Sequence, residues 1–572
     1  MEQNMSNKEI ILGIDLGTTT SEACIYIGKS KLKMIRNEDG DDIIASVVGF
    51  DDLDKAIVFG EEAEDTKHPI FEVKREMGKN VKLTLGDRKL SPEEVSAEIL
   101  KYIKKYSEES LGEKISRAVI TVPANFNIKQ REATIKAGEM AGFKVERIIT
   151  EPTAAALAYC LENTEKEEFV KVMIYDLGGG TFDVSVGEFN NGVLEILSGS
   201  GDNQLGGGDF DRLLCDYICD DFQKQHGIDL RDDIETRRKV LKKAKKAKET
   251  LSRRKKVLIK EGFMAVKDGN TISLDMELTR ETFEDMISEK LESTREAIQK
   301  ALKGAKLKAD DIDMVLLVGG STRIPLVKEI VKDEMGQKPR SDIDPDRAVS
   351  MGAAIQGAII TGACDAVIMD IVNFSFGISA VVDISGQDVP GYYSVIIPEN
   401  SPMLKEFSKK YYAVRDNQEE VMLEVYQSNK KESFFAADQT LLKEYKLKGI
   451  PPAPAGKESV TVKFFYNLNG IMDVTAVIDS TGKEAKLTVS AIEASEKKTE
   501  DKPDLNTWSE SAIAKDFKPT IQIAEKRIKE LKGHSELERK LDAQKKAIID
   551  EDKSLAKTLD EEINDLIFEL ED

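Results

Sequence analysis

The chain has 572 residues, too many for one hydrophobic core, so two to four domains are expected. Its composition, 40% hydrophobic and 33% charged, is that of a soluble globular protein, and a net charge of −22 excludes a general nucleic-acid binder. Residues 1–9 are polar with no signal-peptide core, and no run of 18 apolar residues exists to span a membrane.

Residues 1–364 alternate strand-like and helix-like segments, which predicts α/β layers. The first segment is an apolar run, Ile10-Ile11-Leu12, then Ile14-Asp15-Leu16-Gly17-Thr18-Thr19, then a second apolar run at 23–27. This is a β-hairpin pattern with an Asp and a glycine at its tip. Glycine lets backbone N–H groups approach an anion, threonine hydroxyls donate to phosphate oxygens, and the Asp suits a hydrated metal ion. Lys74 follows in Phe71-Glu72-Val73-Lys74-Arg75. Glu151 opens a helix with Pro152 in its first turn.

The hairpin pattern then returns. Val172-Met173-Ile174 leads into Tyr175-Asp176-Leu177-Gly178-Gly179-Gly180-Thr181-Phe182-Asp183, followed by Val184-Ser185-Val186. Two such hairpins facing each other would clamp a nucleotide phosphate tail, an ATP-using site assembled from two half-domains. Gly206-Gly207-Gly208-Asp209 reads as a further flexible phosphate-type turn. The basic stretch 237–260 carries Val240, Ala244, Ala247 and Leu251 at helical spacing, so it reads as a solvated helix face. Gly319-Gly320-Ser321-Thr322-Arg323 lies between a predicted strand, 314–318, and a helix, a layout that turns backbone N–H groups toward an anion or sugar. No Walker P-loop is present, since Gly28-Lys29-Ser30 has Ala23 where the upstream glycine belongs. A small-residue helix over 348–360 ends at Gly362. Beyond it, Asp365-Ala366-Val367-Ile368-Met369-Asp370 is an apolar run between two acids, expected to dock on a neighbour.

Five cysteines (Cys24, Cys160, Cys215, Cys219 and Cys364) include no C-x-x-C pair, and three histidines add no metal pattern. Structural thiols in a reducing cytoplasm are expected. Over 371–498 the texture changes to period-two alternation, as in Val421, Leu423, Val425 and in Val460, Val462, Phe464. Turn signals and Pro451-Pro452-Ala453-Pro454 separate the runs, which predicts an antiparallel β-sandwich. After a polar connector, 496–504, the tail is helical. Ile521, Ala524, Ile528 and Leu531 form one face, Leu537 and Leu541 another, and Leu555, Leu559, Ile563, Leu566 and Leu570 a third. Pro519, Gly533 and 550–552 punctuate them.

Taken together, Gly13-Ile14-Asp15-Leu16-Gly17-Thr18-Thr19, Ile148-Ile149-Thr150-Glu151-Pro152-Thr153-Ala154-Ala155-Ala156, the 176–183 run, Leu317-Val318-Gly319-Gly320-Ser321-Thr322-Arg323-Ile324-Pro325 and Asp344-Pro345-Asp346 resemble the 70-kDa heat-shock chaperone family of the DnaK type. Gly449-Ile450-Pro451-Pro452-Ala453-Pro454-Ala455-Gly456 extends the resemblance into the β region, so it spans about residues 10–490. It implies an actin-like two-lobed ATPase domain at 1–364, an apolar linker at 365–370, a β-sandwich peptide-binding domain at 371–500 and a short helical lid at 501–572. The implied function is an ATP-dependent chaperone in which ATP binding and hydrolysis control the binding and release of extended hydrophobic peptide segments. ATP/ADP, Mg²⁺ and K⁺ are the implied ligands. A J-domain co-chaperone and an exchange factor are the implied partners, and the cytoplasm the implied location.

Position by position, the resemblance assigns Asp15 and Asp176 to the hydrated Mg²⁺, and Gly17, Thr18, Thr19, Gly178, Gly179, Gly180, Thr181, Gly206 and Gly207 to the phosphates. It gives Lys74, Glu151, Asp176, Thr181 and Asp183 catalytic roles. Lys74 orients the attacking water and γ-phosphate, Glu151 holds a metal-bound water, and Asp183 helps position the water and a potassium ion. Lys248, Ser252, Gly319, Gly320, Ser321, Arg323 and Asp346 border the adenosine. Pro123 and Arg131 form a switch pair, and Arg147 and Asp370 link the ATPase domain, linker and J-domain partner. Ile378, Ala380, Val381, Val414, Val421, Leu423 and Val460 line the peptide cleft, with ordinary sandwich core as the plain alternative.

The chain departs from the family pattern at three places. Lys245 stands where Glu is usual and Glu249 where Arg or an aliphatic residue is. The linker is Val367-Ile368-Met369 rather than three leucines. The tail is short, like that of a specialised bacterial branch. Rival readings are a small-molecule kinase on the same fold, a filament-forming scaffold, and a nucleotide-binding regulator that does not cycle.

Overall fold

The computed structural model describes residues 10–28, 31–163, 169–340, 344–384, 387–428 and 432–489. Beyond these it describes 508, 511, 513–530, 537, 540–541, 544–545, 547–548 and 553–569. Residues 1–9, the connector 496–504, Leu531, Gly533, 550–552 and Leu570 lie outside the described residues, as do the side chains of Cys160 and Leu555. The chain divides into two compact units, Met1–Ala491 and Ile492–Asp572.

The first unit contains two sheets built on one plan. In the first, Lys144–Thr150, Arg117–Val122 and Ile11–Leu16 run parallel, and Thr20–Gly28 and Lys31–Met34 continue antiparallel. In the second, Met314–Val318 and Val170–Leu177 are parallel, then Phe182–Asn190 and Val193–Asp202 continue antiparallel. Each expected hairpin is therefore present. Asp15 pairs with Glu22 across one, and Asp176 with Asp183 across the other. Met314–Val318 is apolar and buried throughout, and Arg117–Val122 is buried after its first residue, as strands covered on both faces must be.

Each sheet has its own core, around Leu12, Ile99 and Ile120 in the first lobe and around Val184, Phe210 and Leu317 in the second. A third core joins the lobes through two helices, Glu151–Asn163 and Ala348–Ile360, rich in alanine and glycine. Their small residues follow from how closely the chains approach. A Cβ at Gly352 would overlap the Ala154 carbonyl, and one at Gly13 the backbone of Ala353 and Ala354. Helix ends follow local chemistry. Pro92–Leu111 begins at a Ser91/Glu94 capping box and stops at Gly112, whose φ of 70° a Cβ would strain.

The segment after Gly362 does dock. Val367–Met369 forms the outer strand of the second sheet, parallel to Val193–Glu195, with Ile368 buried in the interlobe core. Beyond it, strands ordered Gln387–Ile397, Phe376–Ile384, Glu420–Gln427 and Thr440–Lys448 make one antiparallel sheet. Glu406–Tyr412, Ser459–Tyr466, Met472–Ile478 and Lys483–Val489 make the other. They share a core around Phe376, Val425, Val462 and Phe464. This core reaches the first lobe through Ile128, whose backbone N–H donates to Gln427.

Three local expectations are corrected. Gly206-Gly207-Gly208-Asp209 is not a flexible turn but the start of the helix Gly207–His226, where the Asp209 carboxylate accepts from the Gly206 N–H at 2.8 Å. The basic helix ends at Leu251, and 256–260 belong to the strand Lys256–Lys267, where β-branched and alternating residues outweigh the charge run. Pro519 does not end a helix but lies inside Ala514–Glu530, where its missing N–H forfeits one bond near the helix start.

The second unit contains that helix and Lys553–Glu569, around a core of Phe517, Ile521, Ala524 and Ile563. Leu537 and Leu541 are buried there too, and Ile528, Leu559 and Leu566 pack against it. Among the described residues no helix is long and apolar enough to cross a membrane.

Candidate functional site

The two hairpin tips face each other across the gap between the lobes. A Cβ on Gly179 would overlap the Thr19 side chain, and one on Gly180 that of Thr18. The tip Gly178–Thr181 is closed by the Gly178 N–H donating to the Thr181 carbonyl at 3.0 Å. It is backed by the helix N-terminus, whose Gly207 and Gly208 N–H groups donate to the carbonyls of Gly178 and Gly179.

Between the tips lies a cleft of about 510 Å³, large enough for a nucleotide. It is lined by Asp15, Gly17, Thr18, Thr19, Glu151, Asp176, Gly178, Gly179 and Thr181 at one end. Lys248, Ser252, Gly319, Gly320, Ser321, Arg323 and Asp346 line the other. Lys245 and Glu249 line it as well. Of the residues proposed from sequence, Lys74, Asp183, Gly180, Gly206 and Gly207 sit behind this lining. Gly206 packs against Gly179 and Gly180, and Gly207 faces Ser321.

At the phosphate end, charge is out of balance. Asp176, Asp183 and Glu151 are buried and Asp15 is half-buried, with Lys74 the buried cation among them, 4% exposed. Lys74 Nζ donates to Glu151 Oε1 and lies 5.9 Å from the centre of the Phe126 ring. Asp15 accepts from Thr121 Oγ1 at 2.6 Å. Asp183 accepts from Asn125 Nδ2 at 2.7 Å and from the Ala124 N–H at 3.2 Å. Burial and the neighbouring Glu151 push Asp15 up to about 6 and Asp183 up to about 7. Asp176 is held well above the usual carboxylate range for the same reasons. Such a site favours a cation. Among the described residues no three acidic, histidine or cysteine side chains lie close enough to cage a metal directly.

These shifts predict a pH dependence. Asp15 and Asp183 have folded-state values above their unfolded ones, so the folded chain binds more protons between about pH 4 and 7. Their contribution is therefore lost as pH rises through that window. With magnesium and nucleotide removed, the urea midpoint is expected to fall from pH 5 to pH 7.5, and Asp183→Asn to flatten the fall. An unchanged slope in Asp183→Asn rules out this assignment.

At the other end, Ser321 Oγ donates to the Gly178 carbonyl at 2.9 Å, tying the two glycine-rich turns together. Arg323 is held by Asp344 and Asp346 at 2.7 and 2.6 Å, and Lys248 by Asp211 at 2.9 Å. Ser252 donates back to the Lys248 carbonyl, capping its helix end.

The residues proposed as a relay are also connected. Arg131 donates to the carbonyls of Ala124 and Phe126, directly after Pro123, and its Cδ lies under Gly470 of the β region. Asp370 is buried beside Arg147 and accepts from the Ile371 N–H and from Thr153 Oγ1. Burial raises its carboxyl, and Arg131 and Arg147 oppose that rise. Arg147 donates to Gln356 at 2.9 Å.

The proposed peptide-cleft residues do not share one open groove. Ile378, Leu423 and Val460 point into the core between the sheets, Val421 packs at its margin, and Ala380 is half-buried. Only Val381 and Val414 are exposed, at 37% and 46%. Alternation along the strands places successive residues on opposite faces, so a list of apolar positions mixes core and rim. Sequence reasoning missed Thr121, Asn125, Asp211 and Gln356. Each meets its partner 37 to 209 residues away, and no local pattern marks it.

Comparison with known proteins accords with this architecture. The family model described as Hsp70 protein matches residues 11–572. The chain is 42% identical over 495 residues to the chaperone protein DnaK of Thermosipho melanesiensis, covering 85% of this chain and 81% of that one. It is 41% identical over 494 residues to the chaperone protein DnaK of Thermotoga maritima, covering 84% and 80%. The similarity thus extends across nearly the whole chain, cleft, docked strand and β region included. The chain belongs to the Hsp70 family and is an ATP-dependent molecular chaperone.

Proposed function

We propose that this ATPase divides into a nucleotide-binding actin-like domain at 1–364, a linker at 365–370, a β-sandwich peptide-binding domain at 371–500 and a short helical lid at 501–572. The phosphates sit against Gly17, Thr18, Thr19, Gly178, Gly179 and Thr181, and the adenosine against Lys248, Ser252, Gly319, Gly320, Ser321, Arg323 and Asp346. Asp15 and Asp176 hold a hydrated Mg²⁺, with K⁺ alongside near Asp183; when bound these ions neutralise the phosphate charge. Lys74 orients the attacking water and the γ-phosphate, with Glu151 fixing its position. Asp183 accepts a hydrogen bond from the water. The partners are extended hydrophobic segments of unfolded proteins, a J-domain co-chaperone near Arg147 and Asp370, and an exchange factor, all in the cytoplasm.

The observation that carries the coupling is the strand Val367–Met369, an edge member of the sheet that holds Asp176. It makes the state of the hairpin and the attachment of the β region two readouts of one packing arrangement. Coupling of two ligands through one element is reciprocal. ATP is therefore expected to weaken binding of a fluorescent apolar peptide, chiefly by raising its dissociation rate, and the peptide to weaken ATP binding by the same factor; separately, the peptide is expected to raise the rate of ATP hydrolysis. Equal peptide off-rates with ATP and ADP are incompatible with this reading.

A further inference from the structure

Beside the nucleotide cleft, two side chains of the first lobe and two of the second close a ring of alternating charge. Arg75 NH2 meets Asp209 Oδ2 at 2.6 Å, and Asp209 Oδ1 meets Arg212 NH2 at 2.6 Å. Arg212 NH1 meets both Glu72 oxygens at 3.1 and 3.2 Å, and Glu72 Oε2 returns to Arg75 NH1 at 3.3 Å. Glu72 and Arg75 belong to the segment around Val73–Glu76, packed into the first lobe through Val73 and Met77. Asp209 and Arg212 belong to the helix Gly207–His226 of the second.

Two features show that the chain is shaped around this ring. Glu72 adopts a left-handed backbone, φ 51° and ψ 31°, rare for a residue that is neither glycine nor asparagine. That bend sends its carboxylate over Gly208, where a Cβ would overlap Glu72 Oε1. The ring also touches the phosphate loop. Arg75 donates from Nε and NH2 to the Gly180 carbonyl at 3.1 and 2.9 Å, and Lys74 is its chain neighbour.

We infer that Glu72 and Arg212 form an interlobe latch that limits nucleotide release, with Glu72 a positioning residue for Arg75 and Lys74. The inference rests on reading the cleft as the nucleotide site. Lobe separation must break the nearly buried Arg75–Asp209 pair and the part-exposed Arg212–Glu72 pair together, and the second alone would hold weakly. Because Glu72 touches both arginines, its loss removes the Arg212 pair and one support of Arg75, which keeps Asp209 and the Gly180 carbonyl.

The test is displacement of a fluorescent ADP analogue from the full chain with magnesium, followed by stopped flow. Glu72→Gln and Arg212→Gln are each expected to speed release about fivefold. The double variant is expected to match either single one rather than multiply them. Wild-type release is expected to quicken with added salt at constant potassium, and release from Glu72→Gln to respond much less, a difference that a merely structural role does not produce. Wild-type release rates in both variants, multiplicative effects in the double variant, or a wild-type rate indifferent to salt overturn the latch while leaving the nucleotide site standing. A wild-type chain that retains no ADP analogue overturns the site reading and the latch with it.

Discussion

Lys74→Ala is expected to slow single-turnover ATP hydrolysis by at least about a hundredfold while ADP affinity changes by no more than about threefold. Lys74 is the buried cation among Asp15, Asp176, Asp183 and Glu151, and it lies behind the lining of the cleft rather than in it. Its ammonium therefore contributes little to holding nucleotide in the ground state. Its contribution grows as charge develops on the transferred phosphoryl group, so its loss falls on the chemical step. The substitution also leaves Glu151 without its partner, and removing one member of a buried pair costs about 3–5 kcal/mol of stability. Circular dichroism and thermal unfolding with bound ADP separate that loss from the catalytic one. Turnover within about threefold of wild type would reject Lys74 as a catalytic residue.

Ile368→Asp is expected to abolish peptide stimulation of ATP hydrolysis while leaving the nucleotide site able to turn over. Ile368 is the middle residue of the docked strand and is buried, whereas Val367 and Met369 are exposed at 51% and 43%. Its side chain joins Leu194, Val172 and Ala366 in the interlobe core. An ionised carboxylate there would cost several kcal/mol, more than a three-residue strand pairing can supply, so the strand leaves the sheet instead of burying the charge. The rest of the core retains its own packing, so the lobes stay folded. Val367→Asp, on the exposed side of the same strand, is the control and should retain most of the stimulation. Equal behaviour of the two variants argues against docking as the coupling element.

The geometry also explains why the small residues of 151–163 and 348–360 matter as much as the charged ones. The hairpin carrying Asp15 reaches the cleft only because Gly13 lets its strand lie against Ala353 and Ala354, and Gly352 lets the two helices touch. The position of a catalytic carboxylate is thus set by residues that carry no chemistry.

Much of this was legible in one dimension. Both hairpins, the helix opened by Glu151, the turn at Gly319 and the helix Ala348–Ile360 depend on local rules: apolar runs bounded by glycine, a proline in a first turn, a glycine just past a helix end. The docking of 365–370 followed from its composition, since a solvated spacer has no use for Val367, Ile368 and Met369. The peptide-cleft residues were less legible, because alternation identifies two faces of a strand without saying which one is core.

By itself, then, the sequence determined the two hairpins, the chemistry at their tips and the order of regions along the chain, because these depend on neighbours within a few residues. Only the tertiary structure decided that Gly179 and Gly180 meet Thr19 and Thr18, that Lys74 is spent on Glu151, and that Glu72, Arg75, Asp209 and Arg212 close a ring between lobes. Those partners lie 77 to 162 residues apart, apart from the short-range links within the ring. Charge pairing at that range is set by how the lobes pack, which no local spacing encodes.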